Sequence, residues 1–248
     1  ITRGTKLMSF AALEWASHKK DAHPFYIDTE HEELVFIKDS ETHAAPFEKK
    51  LKITDIVKAQ GLEIKLKQSN PLDADLRATL QDLLRFCVQK PNALSAVNGY
   101  LHHAHEAGVL HASRPLNDDE QKIYGFFKDL GKLRFVDGRP EFVSHDALLW
   151  CHGLWLEDYA LSVLSNMKEH GKCDDIMGSF EYFPLGDPKE KNEMDAAFAA
   201  KSRLYVIECK TQNLMSKKQS EGSASISYKL EALSSKTGGV FAAGILIS

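Results

Sequence analysis

Residues 192–211 read NEMDAAFAAKSRLYVIECKT, and the rest of the chain can be arranged around them. Two runs of small and apolar residues flank a polar break, which is typical of two short strands joined by a tight reversal. Side chains alternate between the two faces of a strand, so Val206, Glu208 and Lys210 share one face. Glu208 and Lys210 are therefore expected to point the same way at the end of an apolar strand.

A direct pairing of Asp195 with Glu208 would put the mirror point of the hairpin between Lys201 and Ser202. The sequence allows this register without forcing it, because the turn lacks the Asn-Gly or Gly-Gly that marks a two-residue loop. Opposed residues have Cβ atoms about 4.5–5.5 Å apart, and two like charges at that distance repel. A divalent cation between them would reverse the sign of the interaction, and carboxylate oxygens suit magnesium or manganese. Lys210 could then steady an attacking water or the charge that develops on a phosphate.

The simplest alternative is a solvated strand end, since a Glu-x-Lys pair alone predicts no more than that. The acid on the preceding strand and the apolar run 204–207 favour a site instead. Asn-Glu-x-Asp followed by Glu-Cys-Lys-Thr resembles the PD-(D/E)XK nuclease superfamily. The resemblance implies that Asp195 and Glu208 hold Mn²⁺ or Mg²⁺ together with the backbone carbonyl of Cys209. It also implies that Lys210 positions the nucleophilic water.

The composition is that of a soluble globular protein, with 248 residues, 43% hydrophobic and 27% charged. The sequence has no apolar span of twenty residues, so we expect no membrane association. The net charge of −4 gives no global attraction to nucleic acid, and any such binding must use local patches. The spacing of the four cysteines argues against a zinc ribbon and a disulfide scaffold and fits a reducing cytoplasm. These are Cys87, Cys151, Cys173 and Cys209.

The two ends of the sequence predict a longer protein. The chain opens at Ile1 without a methionine, and it closes on an apolar, strand-like run over residues 240–248. We therefore expect both ends to be cut.

A glycine turn near the start leads into an Ala-rich amphipathic helix, and such a turn presents unpaired backbone N–H groups to an anion. The alternative is a plain turn. The stretch resembles the Thr-Gly-Gly-Thr-Lys turn of CARF domains, the Rossmann-like sensors of cyclic oligoadenylate in type III CRISPR defence. The resemblance implies a binding site for cyclic oligoadenylate, in which an arginine replaces the first glycine of the family. Its residues are Thr2, Arg3, Gly4, Thr5 and Lys6.

The remainder of the first 69 residues is predicted to be structural. Residues 24–28 and 33–38 are rich in β-formers and predict an antiparallel hairpin. The polar residues 39–50 predict a linker. Residues 51–61 predict a short strand and a short helix that close this first domain.

A winged-helix-like module is predicted for residues 70–145, since Asn70 precedes a proline and marks a boundary. Such modules bind DNA in regulators, and they also serve as connectors. We favour the connector because no basic helix interleaved with aromatic residues occurs in the sequence. The module is predicted to contain three helices and a hairpin, over residues 73–88, 92–105, 118–130 and 133–143, with the hairpin turn at Asp137-Gly138.

Several histidines in the second of these helices suggest a metal site. They are His102, His103 and His105, with Glu106 and His111 nearby. Adjacent positions on a helix diverge by about 100°, so these side chains are not expected to converge on one ion.

The last domain is predicted to begin near Asp146 and to open with a helix whose apolar stripe is Leu156, Ala160, Val163, Leu164 and Met167. Glu157 borders that stripe and can face inward, whereas Asp158 lies on the far side. The alternative is an exposed boundary glutamate. Gly-x-Trp-Leu-Glu-x-Tyr resembles the first helix of the DUF1887 nucleases that are fused to CARF sensors, which implies that Glu157 supports the metal shell.

Together, the resemblances point to the CARF-nuclease effectors of the DUF1887 group. They imply an α/β fold with part of a Rossmann-like CARF domain over 1–69, a winged-helix-like connector over 70–145 and a restriction-endonuclease-like domain over 146–248 that is truncated at its C-terminus. The implied protein is a cytoplasmic homodimer that binds cyclic tetra-adenylate and then cuts DNA, RNA or both. Two alternatives stay open: a nucleotide-sensing DNA-binding regulator, and a repair or restriction nuclease that ignores cyclic nucleotides.

Overall fold

The computed structural model describes residues 11, 13–16, 18–19, 22–28, 31, 33–38, 41–46, 50–66, 74–110, 116–211, 220–239 and 242–248. The chain divides into two compact units, Ile1–Leu51 and Lys52–Ser248. The predicted ligand-binding turn, Thr2 to Lys6, lies outside the described residues. The predicted α/β class is confirmed, because strands and helices follow one another along the chain.

The first unit contains a three-stranded antiparallel sheet in the order β1-β2-β3. Its strands are β1 (Phe25–Asp28), β2 (Glu33–Lys38) and β3 (Glu41–Pro46). The predicted hairpin is confirmed, with Phe25 opposite Phe36 and their ring centroids 5.8 Å apart. The predicted linker is wrong over residues 41–46, because this segment reverses directly after β2 and continues the hydrogen-bonded ladder as β3.

The second unit begins with helix α1 (Ile53–Ala59) and strand β4 (Leu62–Leu66). Strand β4 pairs antiparallel with β7 (Asp175–Pro184), and an Asp175 carboxylate oxygen accepts the Ile53 N–H at 3.0 Å. The prediction that residues 51–61 close the first domain is therefore wrong. Apolar side chains of α1 and β4 are buried against the C-terminal sheet, whose edge β4 extends.

The helices and hairpin predicted between residues 73 and 143 are present. They are α2 (Ala74–Gln89), α3 (Pro91–Ala107), α4 (Asp118–Asp129), β5 (Leu133–Val136) and β6 (Arg139–Phe142). Pro91 starts α3, where its missing N–H costs nothing, and Gly108 ends it with a left-handed φ of 65°. Asp137 and Gly138 both have positive φ, as the predicted two-residue hairpin turn requires.

Helix α5 (His145–Leu149) continues through a π-helix (Trp150–Leu154) into helix α6 (Trp155–Glu169). The predicted stripe of α6 is confirmed at Leu156, Ala160 and Leu164, which are buried. The prediction is wrong for Val163, which is 40% exposed because it lies at the border of the stripe. Met167 packs partly buried against the same core.

A five-stranded sheet in the order β10-β9-β8-β7-β4 organises the second unit. Its remaining elements are β8 (Asn192–Ala200), β9 (Arg203–Cys209), helix α7 (Ser220–Gly238) and β10 (Ala242–Ile247). Strands β9 and β10 are parallel, and the other neighbours are antiparallel. One core joins a face of the sheet to α6 and extends into α2–α4, and a second core joins the other face to α1 and α7. Among the described residues, no helix is long and apolar enough to cross a lipid bilayer.

The hairpin of β8 and β9 has the predicted register. Ala200 pairs with Arg203 and Ala196 pairs with Ile207, so the mirror point falls between Lys201 and Ser202. Both turn residues adopt left-handed backbone conformations, with φ of 49° and 58°. A two-residue turn of this kind matches the twist of the strands, here without a glycine.

Gly244 provides a test of how tightly α7 packs on the sheet. A Cβ added at this position would lie 2.5 Å from Leu230 Cγ, so either the helix or the strand must shift. We expect Gly244→Ala to destabilise the protein by about 2 kcal/mol and to lower Tm by about 6 °C. Gly99→Ala is the control, because Gly99 lies in a helix with nothing within 4 Å of its added Cβ. The control should raise stability by up to about 1 kcal/mol in the same thermal denaturation experiment.

Candidate active site at the end of the β8–β9 hairpin

At Asp195, the side chains of β8 change the core that they contact. Residues two apart in a regular strand share one face, yet Met194 packs in the second core and Ala196 in the first. The same change occurs on β7, where Ile176 contacts the first core and Phe180 lies in the second. The two strands therefore twist together around Asp195. The regular pairing of β8 and β9 stops one residue before Asp195 would face Glu208.

The Asp195 carboxylate lies where the two strands separate. Its Oδ2 accepts the backbone N–H of Cys209 at 2.7 Å, which ties the end of β9 to a side chain instead of a backbone carbonyl. Burial raises the pKa of Asp195, the hydrogen bond from Cys209 lowers it, and the nearby Glu208 charge raises it further. The net effect is an Asp195 pKa above its usual range.

Three oxygens surround the ammonium group of Lys210. Its Nζ lies 2.7 Å from Glu208 Oε1, 3.1 Å from the Cys209 carbonyl oxygen and 3.8 Å from Asp195 Oδ2. The Glu208 side chain is only 7% exposed, so this ion pair is largely withdrawn from water. Burial lowers the pKa of Lys210, but the hydrogen bond to Glu208 and the surrounding carboxylate charges raise it more. Lys210 is therefore a cation at neutral pH.

Helix α6 brings one more acid to the site. Burial raises the pKa of Glu157 to about 8, and the negative charges of Asp195 and Glu193 add to the effect. Asp158 instead turns away and accepts the indole N–H of Trp150 at 2.6 Å. The helical pattern predicted that Glu157 can face inward and that Asp158 lies on the far side of the helix.

The donor set fits a hard divalent cation. The predicted ligand oxygens of Asp195, Glu208 and Cys209 already converge on one positive charge, the Lys210 ammonium. Burial and, to a smaller extent, the charges of neighbouring acids raise the pKa values of Asp195 and Glu157, and added positive charge would favour their ionised forms. Within the described ranges, no group of three or more His, Cys, Asp or Glu side chains is arranged around a common point as in a formed metal site. One of the three ligand oxygens predicted here is a backbone carbonyl.

The sequence did not reveal how the end of β9 is held. The Asn98 amide on α3 donates to the Thr211 carbonyl at 2.7 Å, and the Thr211 hydroxyl donates to the His152 carbonyl at 3.2 Å. Thr211 follows Lys210 directly, so α3 and the π-helix both fix the backbone beside the site. A π-helix is rare and often lies at a functional position. The Glu-Cys-Lys-Thr motif contains Thr211, but nothing in the sequence pairs it with Asn98.

We expect Asn98→Ala to slow a reaction at this site. Loss of the bond to Thr211 would let the Lys210 backbone move, and a small misplacement of a catalytic group is costly. The catalytic rate should fall about tenfold, with Tm within a few degrees of wild type. Ser95→Ala, at an exposed position on the same helix, is the control and should leave both quantities unchanged. A rate for Asn98→Ala equal to wild type would contradict the positioning role.

His102 and His105 of α3 meet histidines from a later helical segment, formed by α5 and the π-helix. The rings of His102 and His152 stack, and the ring of His105 lies against that of His145. This convergence comes from tertiary packing, which the spacing within one helix could not reveal. His111 lies outside the described residues.

Residues 145–248 match the family described as the Card1-like endonuclease domain. No curated protein sequence matches the chain. The family match begins at the start of α5 and contains the hairpin and all four predicted catalytic residues.

Solved structures resemble the whole chain in fold. The crystal structure of protein VC1899 from Vibrio cholerae has a TM-score of 0.77 at 18% identity, covering 99% of this chain and 64% of that chain. Can2 from Sulfobacillus thermosulfidooxidans, in complex with cyclic tetra-adenylate, has a TM-score of 0.73 at 16% identity, covering 99% and 63%. A type III CRISPR defence DNA nuclease activated by cyclic oligoadenylate has a TM-score of 0.50 at 17% identity, covering 92% and 28%.

The chain thus spans less than two thirds of the length of each of these structures. At these identities the likeness is one of fold, and it extends over both compact units. The part of the chain that holds the hairpin is thus similar in sequence to the Card1-like endonuclease domain, over residues 145–248.

Proposed function

We propose that the chain is a divalent-metal-dependent endonuclease that hydrolyses phosphodiester bonds of DNA, RNA or both in type III CRISPR antiviral defence. The observation that carries the proposal is the convergence of Asp195, Glu208 and the Cys209 carbonyl around one cationic atom. A strand-end ion pair alone would not suggest a nuclease. Its position inside a Card1-like endonuclease domain supports one.

In this proposal, Asp195 and Glu208 hold Mn²⁺ or Mg²⁺ together with the Cys209 carbonyl oxygen. When bound, the ion would polarise the scissile phosphate and lower the pKa of an attacking water. Asp195 is already oriented for this role by the Cys209 N–H, which leaves its other carboxylate oxygen available. Glu208 is buried and reaches the same place from β9.

Lys210 supplies the fixed positive charge of the proposed reaction. Its ammonium group would position the attacking water and stabilise the negative charge that develops on the phosphate. The carboxylates around it raise its pKa, so it keeps its proton throughout the neutral range. Glu157, whose pKa is raised to about 8 mainly by burial, would support the metal shell from α6.

We further propose that cyclic oligoadenylate controls the activity. The turn Thr2, Arg3, Gly4, Thr5 and Lys6 would bind cyclic tetra-adenylate, held between the sensor domains of a homodimer. The fold likeness to Can2, whose structure contains that ligand, covers 99% of this chain and supports the proposal. A cytoplasmic location agrees with the four cysteines, which are buried and form no disulfide with one another.

A cleavage assay on labelled single-stranded DNA, duplex DNA and RNA tests the proposal. We expect hydrolysis of at least one substrate only with Mn²⁺ or Mg²⁺, and a rate increase of about tenfold or more on adding cyclic tetra-adenylate. An equal cleavage rate with and without cyclic tetra-adenylate would favour a repair or restriction nuclease. Binding of DNA without cleavage, with metal and activator present, would favour a regulator. Cleavage in the presence of EDTA would contradict the metal site.

A further inference from the structure

Four histidines from two helical segments meet beside the candidate active site. His102 and His105 lie three residues apart on α3 and share one of its faces. The rings of His102 and His152 stack with centroids 5.9 Å apart and an interplanar angle of 29°. The rings of His105 and His145 lie 5.0 Å apart. These four residues are the histidine cluster.

Hydrogen bonds place the histidine cluster next to the hairpin. Asn98 lies one turn before His102 on the same face of α3, and its amide binds the Thr211 carbonyl at 2.7 Å. The Thr211 hydroxyl donates to the carbonyl of His152, a member of the cluster, at 3.2 Å. Thr211 directly follows Lys210 in the chain. The histidine cluster therefore contacts the residue next to the proposed catalytic lysine.

The histidine cluster presents polar rings to solvent. His102, His105 and His145 are exposed and His152 is half-buried. A neutral imidazole keeps one N–H donor, a protonated one carries a positive charge, and either form offers a flat ring face. His102 also lies 3.4 Å from Glu106 at an exposed position. Burial lowers the pKa of His152, and so do the neighbouring His102 and His105, so an anion near these rings would be stabilising.

A nucleic-acid substrate needs a local binding surface on this chain, in addition to the catalytic residues. The net charge of −4 gives the chain no general attraction for a polyanion. The ammonium of Lys210 is already paired with Glu208 at 2.7 Å. Flat rings next to a cleavage site suit a single strand, whose bases stack on aromatic side chains and whose phosphate oxygens accept hydrogen bonds.

A transition-metal ion is the other ligand that histidines commonly bind, and it requires three or four donors directed at one point. In the part of the chain that the structure describes, no three His, Cys, Asp or Glu side chains meet that requirement. The ring contacts instead follow one another, with His103 against His102 and His102 against His152, which leaves an extended surface. This arrangement favours a strand over an ion.

We infer that the histidine cluster binds the substrate strand beside the scissile bond, through base stacking on the imidazole rings and N–H donation to phosphate oxygens. The inference rests on the proposed nuclease function, since it names the surface by which the same site holds its substrate. The cluster is then a binding surface and takes no part in bond cleavage.

Strand binding is measured by fluorescence anisotropy with short fluorescein-labelled single strands of DNA and of RNA. The chain carries Glu208→Gln and the buffer contains EDTA, so that no strand is cut. Adding His102→Ala and His105→Ala together should raise Kd about tenfold for at least one strand. Replacing both with glutamine, which retains an N–H donor, should raise Kd about threefold. His170→Ala, an exposed histidine just beyond the end of α6, is the control and should stay within twofold.

Thermal denaturation should show the same Tm for all these variants, since the replaced side chains are exposed. An unchanged Kd for the double alanine variant, or an equal effect of His170→Ala, would overturn the inference. Failure of the Glu208→Gln chain to bind either strand would overturn it as well. Cleavage by the wild-type chain is measured separately. Cluster-dependent binding without cleavage would contradict the nuclease proposal alone, and cleavage with cluster-independent binding would contradict this inference alone.

Discussion

Asp195→Asn and Glu208→Gln are each expected to lower the rate of phosphodiester cleavage by about 10³-fold or more. Each change keeps the size of the side chain and removes a negative charge that the proposed metal ion requires. Asparagine can still accept the Cys209 N–H that Asp195 accepts at 2.7 Å, so the end of β9 should keep its place. The rate is measured under single-turnover conditions with Mn²⁺ and cyclic tetra-adenylate present.

Asp158→Asn is the matched control for this prediction. Asp158 neighbours Glu157 on α6, yet its carboxylate accepts the Trp150 indole N–H and faces away from the hairpin. Its replacement should change the rate less than about threefold. Thermal denaturation of all three variants shows whether the fold is intact. Full activity of Asp195→Asn or Glu208→Gln would exclude this pair as the metal-binding acids.

The second large effect is a pH dependence caused by Glu157. Its pKa is raised from 4.5 to about 8 in the folded, metal-free chain, mainly by burial and also by the charge of Asp195. The protonated form is favoured by folding, so this contribution to stability is complete below pH 4.5 and is lost as the pH rises through about 8. The Tm of metal-free wild type should therefore fall over this range relative to Glu157→Gln, by on the order of 5 °C.

Adding Mn²⁺ at the alkaline end should restore most of the lost Tm to wild type, because a bound cation favours the ionised carboxylate. Glu157→Gln should gain less from the ion, and its cleavage rate should be about 10–100-fold lower than wild type. Glu169→Gln, exposed at the end of the same helix, is the control and should follow wild type. If Tm depends on pH in the same way for wild type and Glu157→Gln in the absence of metal, Glu157 does not have the raised pKa.

The hairpin could be predicted from the sequence because its geometry is local. A strand alternates with a period of two, and counting outward from Lys201 and Ser202 is enough to bring Asp195 to the end of β9. The helical period, which is equally local, placed Glu157 and Asp158 on different sides of α6. It could not reveal that β8 twists at Asp195, since that change depends on the second core beneath the strand.

The rest of the site depends on contacts between distant parts of the chain. Asn98 and Thr211 are 113 residues apart, and no pattern in either helix or strand predicts their hydrogen bond. The histidines of α3 converge only with those of another helical segment. Likewise, β4 contains a strand signal, but its pairing with β7 follows from burial against the sheet.

Mn²⁺ binding and strand cleavage, measured on the same preparations of three chains, test the central claim most directly. Calorimetry should show Mn²⁺ binding to wild type and to Lys210→Met, and loss of binding in the chain carrying both Asp195→Asn and Glu208→Gln. Cleavage should occur only with wild type, because in the proposed reaction Lys210 would act on water and phosphate and would not hold the ion. Undiminished Mn²⁺ binding by the double variant, or wild-type cleavage by Lys210→Met, would contradict the account.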